Sequence, residues 1–248
     1  MGRTEMKAIV FDMDDTLYEQ IEPFQRACED VFGGRLEPDI RRLFAARSRR
    51  SNEVFEDAMA GKISMEEMFI YRGQMAFADL GYQITPQEAL DFQRAYERNQ
   101  EKITLSDTMK EILTICRDAG ALLGIITNGP TQHQRKKTSI LGMERWIDAK
   151  HVIISEECGA SKPDPAIFRC AQERLGVSAS DCIFVGDSYE NDIVGAQRAG
   201  WKSIWLNKLG RKLPAGAVCP EYMVRSETEL LAWVKEAAER LSFTRVPI

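Results

Sequence analysis

Three acids within four positions close a run of apolar residues: Ala8-Ile9-Val10-Phe11 leads into Asp12-Met13-Asp14-Asp15-Thr16. A continuous apolar run suits a strand buried on both faces. Carboxylates do not belong in a sheet interior, so the acids are expected just past the strand's C-terminal end, the edge where open α/β sheets keep their ligands. Asp12 lies nearest the strand and is the most rigidly held, which suits an attacking group. Asp14, further out, suits proton handling, and Asp15 reads as a turn residue. Like charges at this spacing repel, so a divalent metal is expected between them and any anionic substrate.

Complementary groups recur downstream. Thr127 and Asn128 follow the apolar stretch 122–126, and Lys162 sits in Ser161-Lys162-Pro163-Asp164-Pro165 ahead of a predicted helix. Asp187 follows the apolar stretch 182–185, and Asp192 lies five residues further on, at a predicted helix start. If all the strands are parallel, these groups share one edge with Asp12. A hydroxyl and a helix N-terminus suit phosphate oxygens, and a lysine adds fixed positive charge. Asp12 with Asp187 supplies the hard oxygen ligands that Mg²⁺ takes, and the cation offsets repulsion between a carboxylate and a phosphate.

The elements that must position these groups follow from pattern. Residues 17–102 read as almost wholly helical: 21–32, a basic stretch 39–50, then two helices opened by the capping boxes Ser64-Met65-Glu66-Glu67 and Thr85-Pro86-Gln87-Glu88. Met59, Met65, Met68, Phe69, Met75 and Phe77 are expected in the core of that bundle. Arg41, Arg42, Arg47, Arg49 and Arg50 read as a solvated face, the sharper alternative being that one of them reaches a second polar or anionic group of a substrate. After 104 strands alternate with helices: strands at 122–126, 151–154, 182–185, 203–206 and 222–224, helices at 107–119, 131–141, 165–175 and 191–199. A final helix from 227 turns Leu230, Leu231, Val234, Ala238 and Leu241 inward. Alternation of this kind means a parallel sheet covered on both faces. The expected architecture is an α/β core, residues 1–16 with 104–248, carrying a helical cap, residues 17–103. The insert leaves directly from the acidic loop, which makes it a candidate lid.

At 248 residues, 44% hydrophobic and 29% charged, the chain has an ordinary globular balance. Its net charge of −5 gives no electrostatic case for a nucleic-acid polymer or an anionic membrane as partner. Six scattered cysteines without a C-x-x-C pair, and two histidines, His133 and His151, argue against a zinc cluster and for a reducing compartment. No signal sequence or membrane-length apolar run is present. Met1-Gly2 begins like a myristoylation site, but position 6 is Met. The expected location is the cytoplasm.

With these residues in view, the chain resembles the haloacid dehalogenase (HAD) superfamily of phosphohydrolases along essentially its whole length. Asp12-Met13-Asp14-Asp15-Thr16 resembles the D-x-D-x-T motif, Thr127 the second motif, Lys162 the third, and Gly186-Asp187-Ser188-Tyr189-Glu190-Asn191-Asp192 the fourth, G-D-S-x-x-N-D. The resemblance implies a Rossmann-like doubly wound sheet with a helical cap, and a Mg²⁺-dependent phosphatase acting on a small phosphorylated metabolite. It implies Asp12 as nucleophile and Asp14 as acid and then base, with the Asp14 backbone carbonyl touching the metal. Asp187 is then the second metal carboxylate, Asp192 holds a metal-bound water or supports Lys162, and Thr127, Asn128 and Lys162 bind phosphoryl oxygens. An acid at 14 argues for oxygen leaving groups over halide. Phosphomutases share the four motifs, and phosphorylation-controlled receiver domains use a similar acidic cluster, so both remain open alternatives. Asp14-Asp15-Thr16-Leu17-Tyr18 and Trp205-Leu206-Asn207 look most like the 5′-nucleotidase-related branch, which puts nucleoside monophosphates first and sugar phosphates next.

Overall fold

The computed structural model describes residues 7–214 and 216–242, without the side chains of Asn52, Phe55, Glu56, Met59, Arg240, Leu241 and Ser242. The expectations at Met1-Gly2 and for the side chains of Met59 and Leu241 lie outside the described residues. Two compact units emerge: Met1–Tyr18 with Thr104–Ile248, and Glu19–Ile103.

In the first unit β1 (Ala8–Phe11), β2 (Leu122–Thr127), β3 (Val152–Ile154), β4 (Cys182–Gly186), β5 (Lys202–Leu206) and β6 (Tyr222–Val224) form one sheet in the order β3-β2-β1-β4-β5-β6. Every pairing is parallel. The chain steps outward from β1 in both directions, which puts the reversal of strand order beside β1 and β4. Ligand crevices of doubly wound sheets open at that point, beyond the strands' C-terminal ends. Alternate residues of a strand face opposite sides. Ala8 and Val10 pack with Ile167, Phe168 and Ala171, while Ile9 and Phe11 point the other way and are equally buried. Both faces are therefore covered, as the apolar runs predict. Each large side chain so buried contributes roughly 1.5–3 kcal/mol, and this fixes the loops at the sheet edge.

The Glu19–Ile103 unit contains α1 (Ile21–Phe32), α2 (Ile40–Met59), α3 (Met65–Ala78) and α4 (Pro86–Gln100). Both expected capping boxes form, at Ser64 with Glu67 and at Thr85 with Glu88. Phe24 is the hub of the bundle, edge-on to Phe44, Phe92 and Tyr96 at centroid distances of 5.1, 5.0 and 5.6 Å. α2 runs nine residues past the expected end at 50, because nothing in 51–59 breaks a helix. Met68 and Phe77 are buried as expected, but Met65 is 44% exposed, since it opens its helix at the solvated end.

The remaining helices belong to the α/β unit: α5 (Asp107–Asp118), α6 (Thr131–Ile140), α7 (Ser155–Cys158), α8 (Pro165–Leu175), α9 (Gly195–Arg198) and α10 (Glu227–Ser242). The expected helix 191–199 begins earlier and more widely wound, as a π-helical turn over Tyr189–Val194 that continues into α9. His151 closes a 3₁₀ turn instead of opening β3. Leu230 and Val234 of α10 are buried, whereas Leu231 and Ala238 are half-buried. Cys28, Cys116 and Cys182 are buried thiols, as expected of small core residues. Cys158 and Cys170 are not scattered: their Sγ atoms meet at 2.6 Å. No helix among the described residues is long and apolar enough to cross a membrane.

Candidate active site

The segment after β1 turns back on itself within one helical turn. Asp12 keeps the sheet's register by donating its backbone N–H to Val185 O at 2.8 Å. Asp15 takes φ 64°, a left-handed conformation that Asp tolerates better than most residues. The turn brings side chains four apart together: Thr16 Oγ1 donates to Asp12 Oδ2 at 3.3 Å, and Tyr18 OH to Asp14 Oδ1 at 2.5 Å.

Asp12 is buried, and its Oδ1 accepts from Lys162 Nζ at 2.5 Å. The same ammonium donates to Asp192 Oδ1 at 2.7 Å. Burial raises the Asp12 carboxyl to about 7 against the pull of Lys162, with Asp192 and Asp14 adding to the rise. Burial works against a charged Lys162, but Asp12 and Asp192 outweigh it and hold the ammonium above its ordinary value. Asp187, at the end of β4, is raised to about 8 by burial and then by the charges of Asp12 and Asp192. One oxygen each from Asp12, Asp187 and Asp192 lie within 4.8 Å of one another. A cluster of hard oxygen donors that resists full ionisation fits a divalent cation such as Mg²⁺.

Asp14 faces a different environment. Its Oδ1 also accepts from Lys137 Nζ at 2.6 Å, and its Oδ2 from Gln134 Nε2 at 3.3 Å. Burial alone would raise this carboxyl, but Lys137 and the three hydrogen bonds hold it below the usual carboxylate range. Two carboxylates two residues apart are thus pushed in opposite directions, the pattern that separates roles in acid–base and nucleophilic chemistry.

The other expected phosphate binders divide. Thr127 ends β2 and is buried beside the same strand edge. Asn128 clamps the Lys162 loop: its Nδ2 donates to Lys162 O at 3.0 Å and its Oδ1 accepts from Lys162 N at 2.9 Å. Its side-chain amide therefore positions the lysine. Lys162 itself is eight residues beyond β3, with α7 between them and a cis bond to Pro163, so it reaches the edge from a loop and not from a strand end. Asp192 has both oxygens engaged, Oδ1 by Lys162 and Oδ2 by the Ser188 N–H at 2.9 Å. Of the two roles the resemblance implies for it, the contacts display support of Lys162.

Sequence reasoning missed Gln134 and Lys137, and it quoted Tyr18 and Gly186 only within motifs, without a role of their own. Gln134 and Lys137 share a face of α6 at i, i+3, but Lys137 is one of three consecutive basic residues and carries no mark of its own. Gly186 has no room for a side chain, since a Cβ there would lie 2.3 Å from Asp192 Oδ2.

Over residues 6–200 the chain matches the family described as haloacid dehalogenase-like hydrolase. It is similar to N-acylneuraminate-9-phosphatase of Homo sapiens, 30% identical over 261 residues, which cover 98% of this chain and 100% of that protein. A shorter stretch, 44% of this chain and 48% of the relative, is 39% identical over 111 residues to the pyrimidine 5′-nucleotidase YjjG of Escherichia coli. The magnesium-bound HAD-hydrolase YfnB of Bacillus subtilis shares the fold, with a TM-score of 0.68 over 93% of this chain and 99% of that one at 23% identity.

Proposed function

The chain belongs to the haloacid dehalogenase-like hydrolase family, and on that premise we propose that it is a Mg²⁺-dependent phosphatase that hydrolyses a small cytosolic phosphate monoester through an aspartyl-phosphate intermediate. The observation that carries this reading is the meeting of Asp12, Asp187 and Asp192 within 4.8 Å at the point where strand order reverses, with Lys162 joining two of them. Asp12, Asp187 and the backbone carbonyl of Asp14 would hold the cation, with Asp192 beside them, and when bound it would neutralise charge shared between the carboxylates and the phosphoryl group.

Asp12 attacks phosphorus. Its backbone is pinned to β4 and its carboxylate is aimed by Lys162 and Thr16, so little orientation remains to be fixed during the reaction. Lys162 and Thr127 bind phosphoryl oxygens, while Asn128 and Asp192 hold the lysine in place. Asp14 handles protons. In the arrangement seen here it is held anionic, ready to take a proton from the water that opens the aspartyl phosphate. Protonating the leaving oxygen in the earlier step requires Asp14 to loosen its contact with Lys137. The covalent intermediate divides one very slow hydrolysis into two faster steps.

Because the human N-acylneuraminate phosphatase matches along its full length while the nucleotidase matches over less than half, a sugar-type phosphate is favoured over a nucleotide. The decisive experiment is a screen of phosphorylated metabolites with Mg²⁺, an EDTA control, and acid quench followed by borohydride trapping. Turnover that EDTA removes, with label on Asp12, is expected. Hydrolysis by Asp12→Asn at the wild-type rate would refute the assignment.

A further inference from the structure

In the Glu19–Ile103 unit several arginines have carboxylate partners, and two partly buried ones share a neutral partner instead. Arg50 pairs with Asp79 and Glu53, and Arg35 with Glu88. Arg47 and Arg72, from α2 and α3, instead both point at one neutral atom: Gln93 Oε1 on α4 accepts from Arg47 Nη2 at 2.9 Å and from Arg72 Nη2 at 2.7 Å. Arg72 Nη1 reaches only Ser51 Oγ, at 3.2 Å, and its Nε is buried with no hydrogen-bond partner among the described residues. No described carboxylate forms an ion pair with either guanidinium. Glu97 is held by the other end of the Gln93 amide, Nε2 to Oε1 at 2.6 Å, which keeps the amide oxygen turned toward the arginines.

The surroundings are aromatic. The Arg47 guanidinium carbon lies 4.9 Å from the Tyr96 ring centroid and 5.8 Å from that of Phe24, and that of Arg72 lies 4.6 Å from that of Phe69. Stacking on rings stabilises each cation but does not neutralise it. Burial and the neighbouring Arg47 lower Arg72 to about 9. Glu97 offsets part of the charge on both guanidiniums from a distance, but no anion meets either fork, and one buried N–H is left over.

We propose that Arg47, Arg72 and Gln93 form a carboxylate-binding site in the helical unit. A carboxylate is planar and matches the guanidinium fork. It is also less strongly hydrated than a phosphate dianion and enters an aromatic setting at lower desolvation cost. Its source is either the phosphate monoester itself, a possibility that rests on the phosphatase reading, or a separate small organic acid.

Two arms on the full-length chain separate these sources. In the first, sodium pyruvate is titrated against sodium chloride of equal ionic strength, with the Arg Nε–H signals followed by ¹⁵N-edited NMR. Pyruvate is expected to move the Arg72 Nε–H signal in a saturable way and chloride is not. Arg72→Lys keeps the charge and loses the fork, and should abolish saturable pyruvate binding if it folds. In the second arm, kcat/KM is compared for O-phosphoserine and O-phosphoethanolamine, which differ only by a carboxylate. A preference for phosphoserine of tenfold or more that collapses in Arg72→Lys and Arg47→Lys identifies the substrate as the source. A pyruvate-dependent shift without such a preference identifies a free acid. No shift with pyruvate and no preference between the two esters overturns the proposal. Failure to turn over any ester would sink the phosphatase reading, while the NMR arm would still decide the carboxylate site.

Discussion

Gly186 offers the sharpest test of how the site is held together. A methyl group at this position would stand 2.3 Å from Asp192 Oδ2, 2.5 Å from its Cγ and 2.6 Å from its Cβ. Carbon contacts are favourable near 3.5–4.0 Å, so Gly186→Ala must displace Asp192 by about 1 Å. Asp192 is 1% exposed on a π-helical turn and has no open side to move toward. The displaced carboxylate gives up its bonds to Lys162 at 2.7 Å and to the Ser188 N–H at 2.9 Å. Bonds to charged groups are worth about 1.5–3 kcal/mol each, so the loss is roughly 3–6 kcal/mol. The expected readout by calorimetry is a melting temperature lower by on the order of 10 °C. Lys162, left with Asp12 as its one carboxylate anchor, drifts by a comparable distance, and an error of that size lowers kcat/KM by about 10²-fold. Hydrolysis of p-nitrophenyl phosphate with saturating Mg²⁺ measures this. Asp192→Gly removes all three obstructing atoms, so Gly186→Ala combined with Asp192→Gly should be no worse than Asp192→Gly alone. A Gly186→Ala protein that melts within 1 °C of wild type and retains its kcat/KM within twofold would refute this account of Lys162 positioning.

Other outcomes follow from the same contacts. Asp12→Asn should lose turnover while circular dichroism shows an unchanged fold, since Asn is nearly isosteric and a poor nucleophile. Lys137→Met removes the main charge holding Asp14 low; kcat should fall at least tenfold while thermal stabilisation by Mg²⁺ is retained, and loss of that stabilisation would mean that Lys137 supports the metal site instead. Burial raises the thiols of Cys116 and Cys182 to about 12 and that of Cys28 to about 11. Their thiolate fraction at pH 8 is therefore far below that of a free cysteine and grows only as pH climbs toward those values. A disulfide reagent at pH 8 should label the exposed Cys219 rapidly, and Cys28, Cys116 and Cys182 only on unfolding. Diamide should yield a Cys158–Cys170 cross-linked peptide by mass spectrometry, as their sulfurs are already in contact.

Sequence alone determined the parallel sheet, because apolar runs buried on both faces carry their own signal, and it determined which acids stand at the strand ends. Asp12 and Asp187 follow β1 and β4 directly, so local pattern was enough to place them. The capping boxes at Ser64 and Thr85 were legible for the same reason: they are interactions over three residues. What lay beyond local pattern was decided by tertiary structure. Lys137 pairs with a carboxylate 123 positions away, and nothing in Arg135-Lys136-Lys137 says which of the three turns inward. The resemblance implies Asn128 as a phosphate ligand, and only the tertiary structure shows that a loop more than thirty residues on takes up its side-chain amide. Arg47 read as one more solvated arginine until α3 and α4 brought Arg72 and Gln93 against it. Side-chain chemistry can be listed from a sequence, but which charges share a dry space depends on contacts between distant segments, and those contacts set the electrostatics on which function rests.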